Sequence, residues 1–196
     1  MSVFQTQQGP VFDPLRLGER SLAIKAVFVL AGTLVLALAS QIAVPMVPVP
    51  ITMQTFAITM IGALYGWRLA GVTILAWLVE AMAGLPVLAG GAGGVAPFVG
   101  PTAGYLVSFP IIGALVGWLA ERGWTGANVI RSFTAHLAGN ILCLAIGGGW
   151  LAVLIGAEKG WLLGVAPFIL GAFLKSALAA AVLKAAQQYG DRVRLN

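Results

Sequence analysis

The sequence predicts an all-α integral membrane protein, a bundle of six transmembrane helices, and three observations carry that prediction. First, 60% of the 196 residues are hydrophobic and only 9% are charged, whereas a soluble domain carries roughly 25% charged residues. Second, apolar runs close to the roughly 20 residues that cross a bilayer core recur along the chain. Third, the basic residues fall on alternate connections between these runs, as they do in multi-pass proteins.

The six helices follow one another with short connections, in a single membrane domain that covers residues 1–196. We expect the helices at 22–43, 53–66, 69–83, 102–120, 132–154 and 162–186. The second and third are short for a bilayer core, and Trp67 and Arg68 mark the turn between them. Residues 1–21 and 187–196 are expected to form cytoplasmic tails.

Two irregular segments interrupt the helices. Pro45, Pro48 and Pro50 prevent a regular helix after the first span, because proline lacks a backbone donor and restrains the residue before it. Residues 84–105 are apolar but contain seven glycines and three prolines. Irregular backbone at membrane depth is tolerated only where it is buried in protein or lines a cavity. We therefore expect both segments to face outward and to close a ligand pocket.

The basic residues predict the orientation of the bundle. If the N-terminus is cytoplasmic, the inner segments hold nine of the 11 basic residues, namely Arg16, Arg20, Lys25, Arg68, Arg122, Arg131, Lys184, Arg192 and Arg194. The outer connections hold only Lys159, and Lys175 lies within the last helix. Positive residues favour the cytoplasmic side, so both termini are predicted to be cytoplasmic.

Ionisable residues inside the spans are functional candidates, because charge at membrane depth is costly. Lys175 shares a helix face with small residues, which suits a cation or donor inside a pocket; the alternative is a structural pair with Glu80. Glu80 either accepts N–H groups of a ligand above Trp77 or reaches water as an interfacial carboxylate. Asn140 needs a partner at this depth and either bonds across helices or lines the cavity.

Other classes of protein fit the sequence poorly. The single histidine, His136, has no Ser-His-Asp or metal-ligand constellation around it, so we expect a structural role, no enzyme activity, no metal and no cofactor. The net charge of +5 is spread singly along the chain, which disfavours nucleic acid as a partner. A channel is disfavoured because few polar positions repeat along any helix.

Four blocks of sequence resemble the BioY family, the biotin-specific substrate-binding (S) components of energy-coupling-factor transporters. The blocks are VPVPITMQT from Val47, GLPVLAGGAGG from Gly84, GPTAGYL from Gly100 and PFILGAFLK from Pro167. The resemblance implies biotin held near the outer face of a six-helix bundle in the bacterial cytoplasmic (inner) membrane. It also implies three partners, a transmembrane coupling protein and two ABC ATPases, and it leaves open a homo-oligomer.

The resemblance also implies site residues. The family pattern in the last helix is an aspartate, two residues and a lysine; Lys175 matches the lysine, but Ala172 stands at the aspartate position. We therefore expect Glu80 to accept the ureido N–H groups of biotin in place of the aspartate, with Lys175 beside it. The remaining candidates for ligand contact lie in the irregular segments and near them: Thr52, Gln54, Gly91, Gly94, Tyr105 and Asn140.

Three expectations stay open from sequence. Tyr105 either packs on the ligand or belongs to an interfacial aromatic belt. Gly91 and Gly94 would supply a hinge for loop closure. A stripe of small residues on the first helix, Ala23, Ala31 and Ala39, either faces the coupling protein or packs within the bundle. Because a fold does not fix a ligand, another vitamin or small solute is the alternative to biotin.

Overall fold

The computed structural model describes residue 15 and residues 17–195, with side chains up to residue 189. The chain is predominantly helical, with one two-stranded hairpin. The helices are α1 (Leu22–Gln41), α2 (Gln54–Met82), α3 (Ala96–Val99), α4 (Ala103–Ala120), α5 (Val129–Ile155), α6 (Ala157–Gly164) and α7 (Phe168–Leu195). The strands β1 (Ala43–Val44) and β2 (Ile51–Thr52) pair antiparallel, and 3-10 turns cover Leu17–Glu19 and Ala89–Gly91.

Helix α2 doubles back at Gly66 and contributes two spans. Gly66 has φ 74° and ψ 166°, far from helical values. A Cβ atom placed on Gly113 of α4 would have the side chains of both Ile58 and Ile74 within 4 Å. In a straight helix, 16 residues would separate these two side chains by about 24 Å. Among the described residues, five helices are long and apolar enough to cross a membrane, and the reversal in α2 makes six spans, which confirms the predicted bundle.

Close glycine contacts hold the two arms of α2 against α4. A Cβ atom on Gly117 would lie 2.6 Å from the backbone nitrogen of Trp67, and one on Gly62 would collide with the carbonyl of Gly113. The Trp67 N–H donates to Glu121 Oε1 over 3.1 Å. This bond satisfies a donor that the break at Gly66 leaves without a helical acceptor. We call residues 66–68 the elbow; the predicted turn at Trp67 and Arg68 is correct to within one residue.

The connections alternate between two ends of the bundle. At one end, here called the hairpin end, the β1–β2 hairpin, residues 83–102 and α6 come together. The Gln41 Nε2 group donates to Leu88 O over 3.0 Å there. At the other end, the elbow end, Gly126 lies against the backbone of Leu183, and Leu17 shares a groove with Gly66. Both described ends of the chain therefore lie at the elbow end; Arg16 and the side chains of Arg192 and Arg194 lie outside the described residues.

Several element boundaries differ from the sequence prediction, for local reasons. The last span begins at Phe168 instead of residue 162, since residues 157–164 form the separate helix α6 after Gly156, whose φ is 92°. The predicted loop at Glu158 and Lys159 is thus helical. Helix α5 begins three residues early, because the Asn128 side chain caps it by accepting the Arg131 N–H over 3.1 Å. Residues 187–195 continue α7 as helix.

Candidate functional site

A cavity of about 200 Å³ opens between the spans at the hairpin end. The hairpin and residues 88–97 border it on one side, and α4, α5 and α7 on the others. Its apolar wall consists of Val49, Pro50, Leu88, Ala89, Ala92, Pro97, Leu106, Phe109, Leu144, Phe168 and Ala172, and its polar groups belong to Thr52, Gln54, Thr55, Thr102, Tyr105, Asn140, Cys143 and Lys175. Apolar walls with a few placed polar groups are typical of small-molecule sites.

Lys175 is the cation of the cavity. Its Nζ donates to the carbonyl of Thr52 over 3.1 Å and to Thr55 Oγ1 over 2.7 Å. These bonds join α7 to the hairpin and to the start of α2. An ammonium group has three N–H donors, so one donor remains for a ligand. Within the described part of the chain, the cavity wall holds no acidic side chain.

Gln54 and Thr52 hold the hairpin to α1. The Gln54 side chain is 7% exposed; its Nε2 donates to Ser40 Oγ over 3.0 Å, and its Oε1 accepts from Thr52 Oγ1 over 2.9 Å. Both side chains line the cavity as predicted. Their side chains are fixed by these bonds within the protein, and this shapes the wall of the cavity.

Tyr105 forms part of the wall between α4 and α6. Its side chain is 7% exposed, and the hydroxyl donates to Gly164 O over 2.6 Å. The ring lies 6.2 Å from that of Phe168, centroid to centroid, and Gly147 leaves the space that the ring occupies. A buried ring with its hydroxyl bonded inside the protein is not a belt residue, so the structure favours the cavity over the interface for Tyr105.

Asn140 lies on α5 where that helix faces α7. Its side chain is 3% exposed and lines the cavity. The Nδ2 group donates to His136 O over 3.0 Å and to Ser176 Oγ over 3.2 Å. Both expectations from sequence therefore hold together in the structure, because Asn140 bonds across helices and also lines the cavity.

Gly91 and Gly94 lie outside the cavity wall and shape the segment that borders it. Their φ angles are 72° and 78°, a region that favours glycine. The Gly94 N–H donates to Ala81 O over 2.8 Å. The turn at Ala89–Gly91 brings neighbouring side chains, Leu88 and Ala92, to the cavity instead.

Glu80 also lies away from the cavity wall, contrary to the position expected from sequence. The inward face of this arm of α2 is occupied by Trp77, whose ring stacks on that of Phe109 at 6.0 Å and whose Nε1 donates to Val87 O over 3.2 Å. Trp77 is fully buried behind the wall, while Glu80 is half-buried. The geometry therefore does not support Glu80 as the substitute for the missing aspartate at Ala172.

Sequence reasoning missed several wall residues. Thr55, which accepts from Lys175, carries no signal in the sequence, because a threonine in an apolar helix is common. Cys143 accepts a hydrogen bond from Ser108 Oγ over 3.2 Å and lines the cavity. Its spacing of three residues from Asn140 places both on one face of α5 and could have identified it.

His136 is buried in the half of α5 nearer the elbow end. It is 1% exposed, and neither ring nitrogen has a hydrogen-bond partner among the described residues. The hydroxyl of Ser132, one turn earlier, is likewise without a partner. His136 acts on the cavity only through its backbone carbonyl, which accepts from Asn140.

A six-span bundle with a mostly apolar cavity between the spans at one end defines a substrate-binding membrane protein. The chain belongs to the BioY family, whose profile matches residues 13–192. It is 38% identical over 173 residues to the biotin transporter BioY of Rhizobium etli, covering 84% of this chain and 91% of that protein. It is 36% identical over 148 residues to the probable biotin transporter BioY of Pyrococcus horikoshii, covering 76% and 86%.

The fold resembles a solved structure as well. A crystal structure of the S-component for biotin from an ECF-type ABC transporter superposes with a TM-score of 0.74 at 26% sequence identity, covering 85% of this chain and 92% of that one. The predicted family and the predicted class, a multi-pass membrane protein of a transporter family and not an enzyme, are confirmed.

Proposed function

We propose that this chain binds biotin with high affinity and carries it into the cell as the S component of an ECF-type transporter. The observation that carries the proposal is the cavity between the spans at the hairpin end, which combines an apolar wall with Lys175. This arrangement suits a ligand with a thiophane ring and an alkyl chain as well as polar groups. The membership of the BioY family supports biotin as that ligand.

The mechanism we infer is capture followed by delivery. Biotin enters between the hairpin and residues 83–102, and the apolar wall supplies affinity while the few polar groups supply specificity. The Gln41 and Trp77 side chains hold residues 87–88 over the cavity through bonds to their carbonyls. Loop opening at the hairpin end would admit and release the ligand.

The proposal includes an orientation in the bacterial cytoplasmic membrane. The elbow end carries Lys25, Arg68, Arg122 and Lys184, whereas Lys159 lies on α6 at the hairpin end. Positive residues favour the cytoplasmic side. We infer that the elbow end and both chain termini are cytoplasmic and that the cavity opens outward.

Transport further requires partners, which we propose to be a transmembrane coupling protein and two ABC ATPases. The surface for the coupling protein is α1, which is the least buried of the spans. Ala23, Val27, Ala31 and Val35 are exposed, whereas Ala39 is buried against the bundle. We therefore propose that the coupling protein docks on the part of the predicted stripe that contains Ala23 and Ala31.

Ala31→Trp tests this docking face. The bulky ring on an exposed position should block close approach of another helix and reduce co-purification of the coupling protein by at least tenfold, while biotin binding stays unchanged. Ala39→Trp is no suitable control, because Ala39 is buried; Leu174→Trp, exposed on α7, is the matched variant. Equal co-purification of wild type and Ala31→Trp would show that α1 docks elsewhere.

The binding proposal is tested by purifying the chain in detergent and titrating it with biotin and with a panel of other vitamins. Mass spectrometry of the co-purified small molecule gives an independent answer. Saturable binding of biotin, with no binding of the other vitamins at the same concentration, is the expected result. Tight binding of another vitamin, with no binding of biotin, would assign that vitamin as the ligand. This alternative is worth testing because alanine stands at position 172 in the cavity wall, where the family pattern has an aspartate.

A further inference from the structure

The side-chain oxygens of the cavity wall differ in whether they already take part in a hydrogen bond within the protein. Besides Asn140, five residues line it with hydroxyl or amide oxygens, and each oxygen is held by at least one hydrogen bond within the protein: Thr52, Gln54, Thr55, Thr102 and Tyr105. The hydroxyls of Thr102 and Tyr105 donate in these bonds and keep their lone pairs. Among the side-chain oxygens of the described cavity wall, Asn140 Oδ1 alone forms no hydrogen bond. It is also absent from the fully buried atoms that lack a partner, so it keeps accessible surface, and Asn140 lines the cavity.

The orientation of the Asn140 amide is fixed by two acceptors. Nδ2 must point toward His136 O and Ser176 Oγ, because an amide oxygen in that place would face the carbonyl oxygen without a hydrogen between them. Ser176 is itself oriented, since its hydroxyl donates to Ala172 O over 2.7 Å and so turns its lone pairs to Asn140. The amide therefore presents Oδ1 to the ligand space.

An unbonded acceptor and an unused donor of the site lie on neighbouring helices. Asn140 supplies the acceptor from α5, and Lys175, adjacent in sequence to Ser176 on α7, keeps one N–H. A urea group offers N–H donors beside a carbonyl acceptor, which complements this pair. At position 172, one turn before Ser176, the alanine provides no side-chain acceptor.

We propose that Asn140 Oδ1 accepts a ureido N–H of the ligand and that Ser176 is the positioning residue that aims it. This inference rests on the proposed function, since it takes biotin as the ligand. Specificity for the ureido ring thus comes from a neutral amide on α5 and from the Ser176 hydroxyl on α7. A buried acceptor left unpaired penalises any analogue that lacks the N–H.

The test compares biotin with its two cyclic carbamate analogues, in each of which one ureido N–H is replaced by oxygen. These analogues remove a donor without adding bulk. Wild type should bind at least one of them about tenfold or more weakly than biotin, the factor that one lost hydrogen bond gives. In Asn140→Leu the ratio between biotin and that analogue should fall to about one, and in Ser176→Ala it should fall partway.

Ser132→Ala is the matched control, because Ser132 is a fully buried serine on α5 whose hydroxyl has no partner among the described residues and which lies outside the cavity wall. It should keep the wild-type ratio. If Asn140→Leu fails to fold, the partial fall in Ser176→Ala carries the test. The inference would be overturned, and the proposed function left standing, if both Asn140→Leu and Ser176→Ala kept the wild-type ratio of affinities for biotin and the analogue. The same would follow if these variants lost affinity equally for all three ligands. Absence of biotin binding by wild type would instead overturn the proposed function.

Discussion

At the scale of single residues, Lys175 is the side chain that links the cavity to the elements around it. Its bonds to the Thr52 carbonyl and the Thr55 hydroxyl join α7 to the hairpin, so one residue both shapes the entrance and offers a donor to the ligand. Neutral acceptors stabilise its ammonium group, and the described wall holds no carboxylate to balance it. A ligand that brings an acceptor or a negative charge gains from this site.

Lys175→Met should weaken biotin binding by about ten- to a hundredfold, because a hydrogen bond to a charged group contributes about 1.5–3 kcal/mol. Methionine keeps the apolar length of the side chain and removes the donors. Isothermal titration of the purified protein measures the change. Lys184→Met, an exposed lysine on the same helix, should bind biotin as wild type does. Unaltered affinity in Lys175→Met would remove this lysine from the site.

Lys175 and Glu80 show how far sequence could predict the site. A lysine in the middle of an apolar helix, with small residues around it, is expected to face the protein interior whatever the packing of the other helices, because exposure to lipid is so costly. Glu80 lies near the end of a span, where half-burial is enough to reach water, and only the packing of Trp77 behind Phe109 decides which face turns inward. That packing depends on contacts between helices distant in sequence, which periodicity alone does not reveal.

At the scale of elements, the segment of residues 83–102 is kept over the cavity by backbone conformation as well as by hydrogen bonds. Gly91 and Gly94 adopt positive φ angles, which cost other residues about 1–2 kcal/mol each. Gly91→Ala and Gly94→Ala should therefore disfavour the closed loop and speed biotin dissociation about tenfold, as measured by stopped-flow exchange against labelled biotin. Dissociation should become faster and not slower, because the strain falls on the described conformation, in which the loop covers the cavity.

Gly149→Ala is the control for these loop variants. Gly149 lies in α5 with helical φ and with no atom within 4 Å of its Cβ position, so alanine should leave the dissociation rate unchanged. If Gly91→Ala and Gly94→Ala also released biotin at the wild-type rate, this segment would not govern the entrance.

The elbow of α2 is a second element whose geometry depends on glycine. Alanine at Gly117 would place a methyl group 2.6 Å from the Trp67 nitrogen, which forces α4 away from the elbow. We expect Gly117→Ala to lower the stability of the bundle by about 1–3 kcal/mol, as overpacking does elsewhere, and thermal melting in detergent measures it. Gly71→Ala, with open space around the added methyl, should melt no lower than wild type. A Gly117→Ala melt equal to that of Gly71→Ala would contradict the described packing.

The elements also show which boundaries sequence can locate. The elbow was predictable because a short apolar run, an aromatic and an arginine mark a turn at an interface. Helix α6 was missed because Glu158 and Lys159 are typical of a loop, whereas Gly156 restarts the chain as a helix. Its position follows from tertiary contacts such as the bond from Tyr105 to Gly164 O.

At the scale of the whole molecule, the distribution of basic residues along the sequence agrees with the topology of the bundle, because successive connections lie at opposite ends. Both described chain ends and six basic residues lie at the elbow end, and the cavity lies at the other. We predict that an impermeant maleimide applied to intact cells labels Lys159→Cys and not Lys184→Cys, in a Cys143→Ala background; both positions are exposed on the molecule. Permeabilised cells should show labelling of both, which controls for reactivity. Labelling of Lys184→Cys from outside, with Lys159→Cys protected, would invert the bundle and place the cavity on the cytoplasmic side, where it could not capture a solute for uptake.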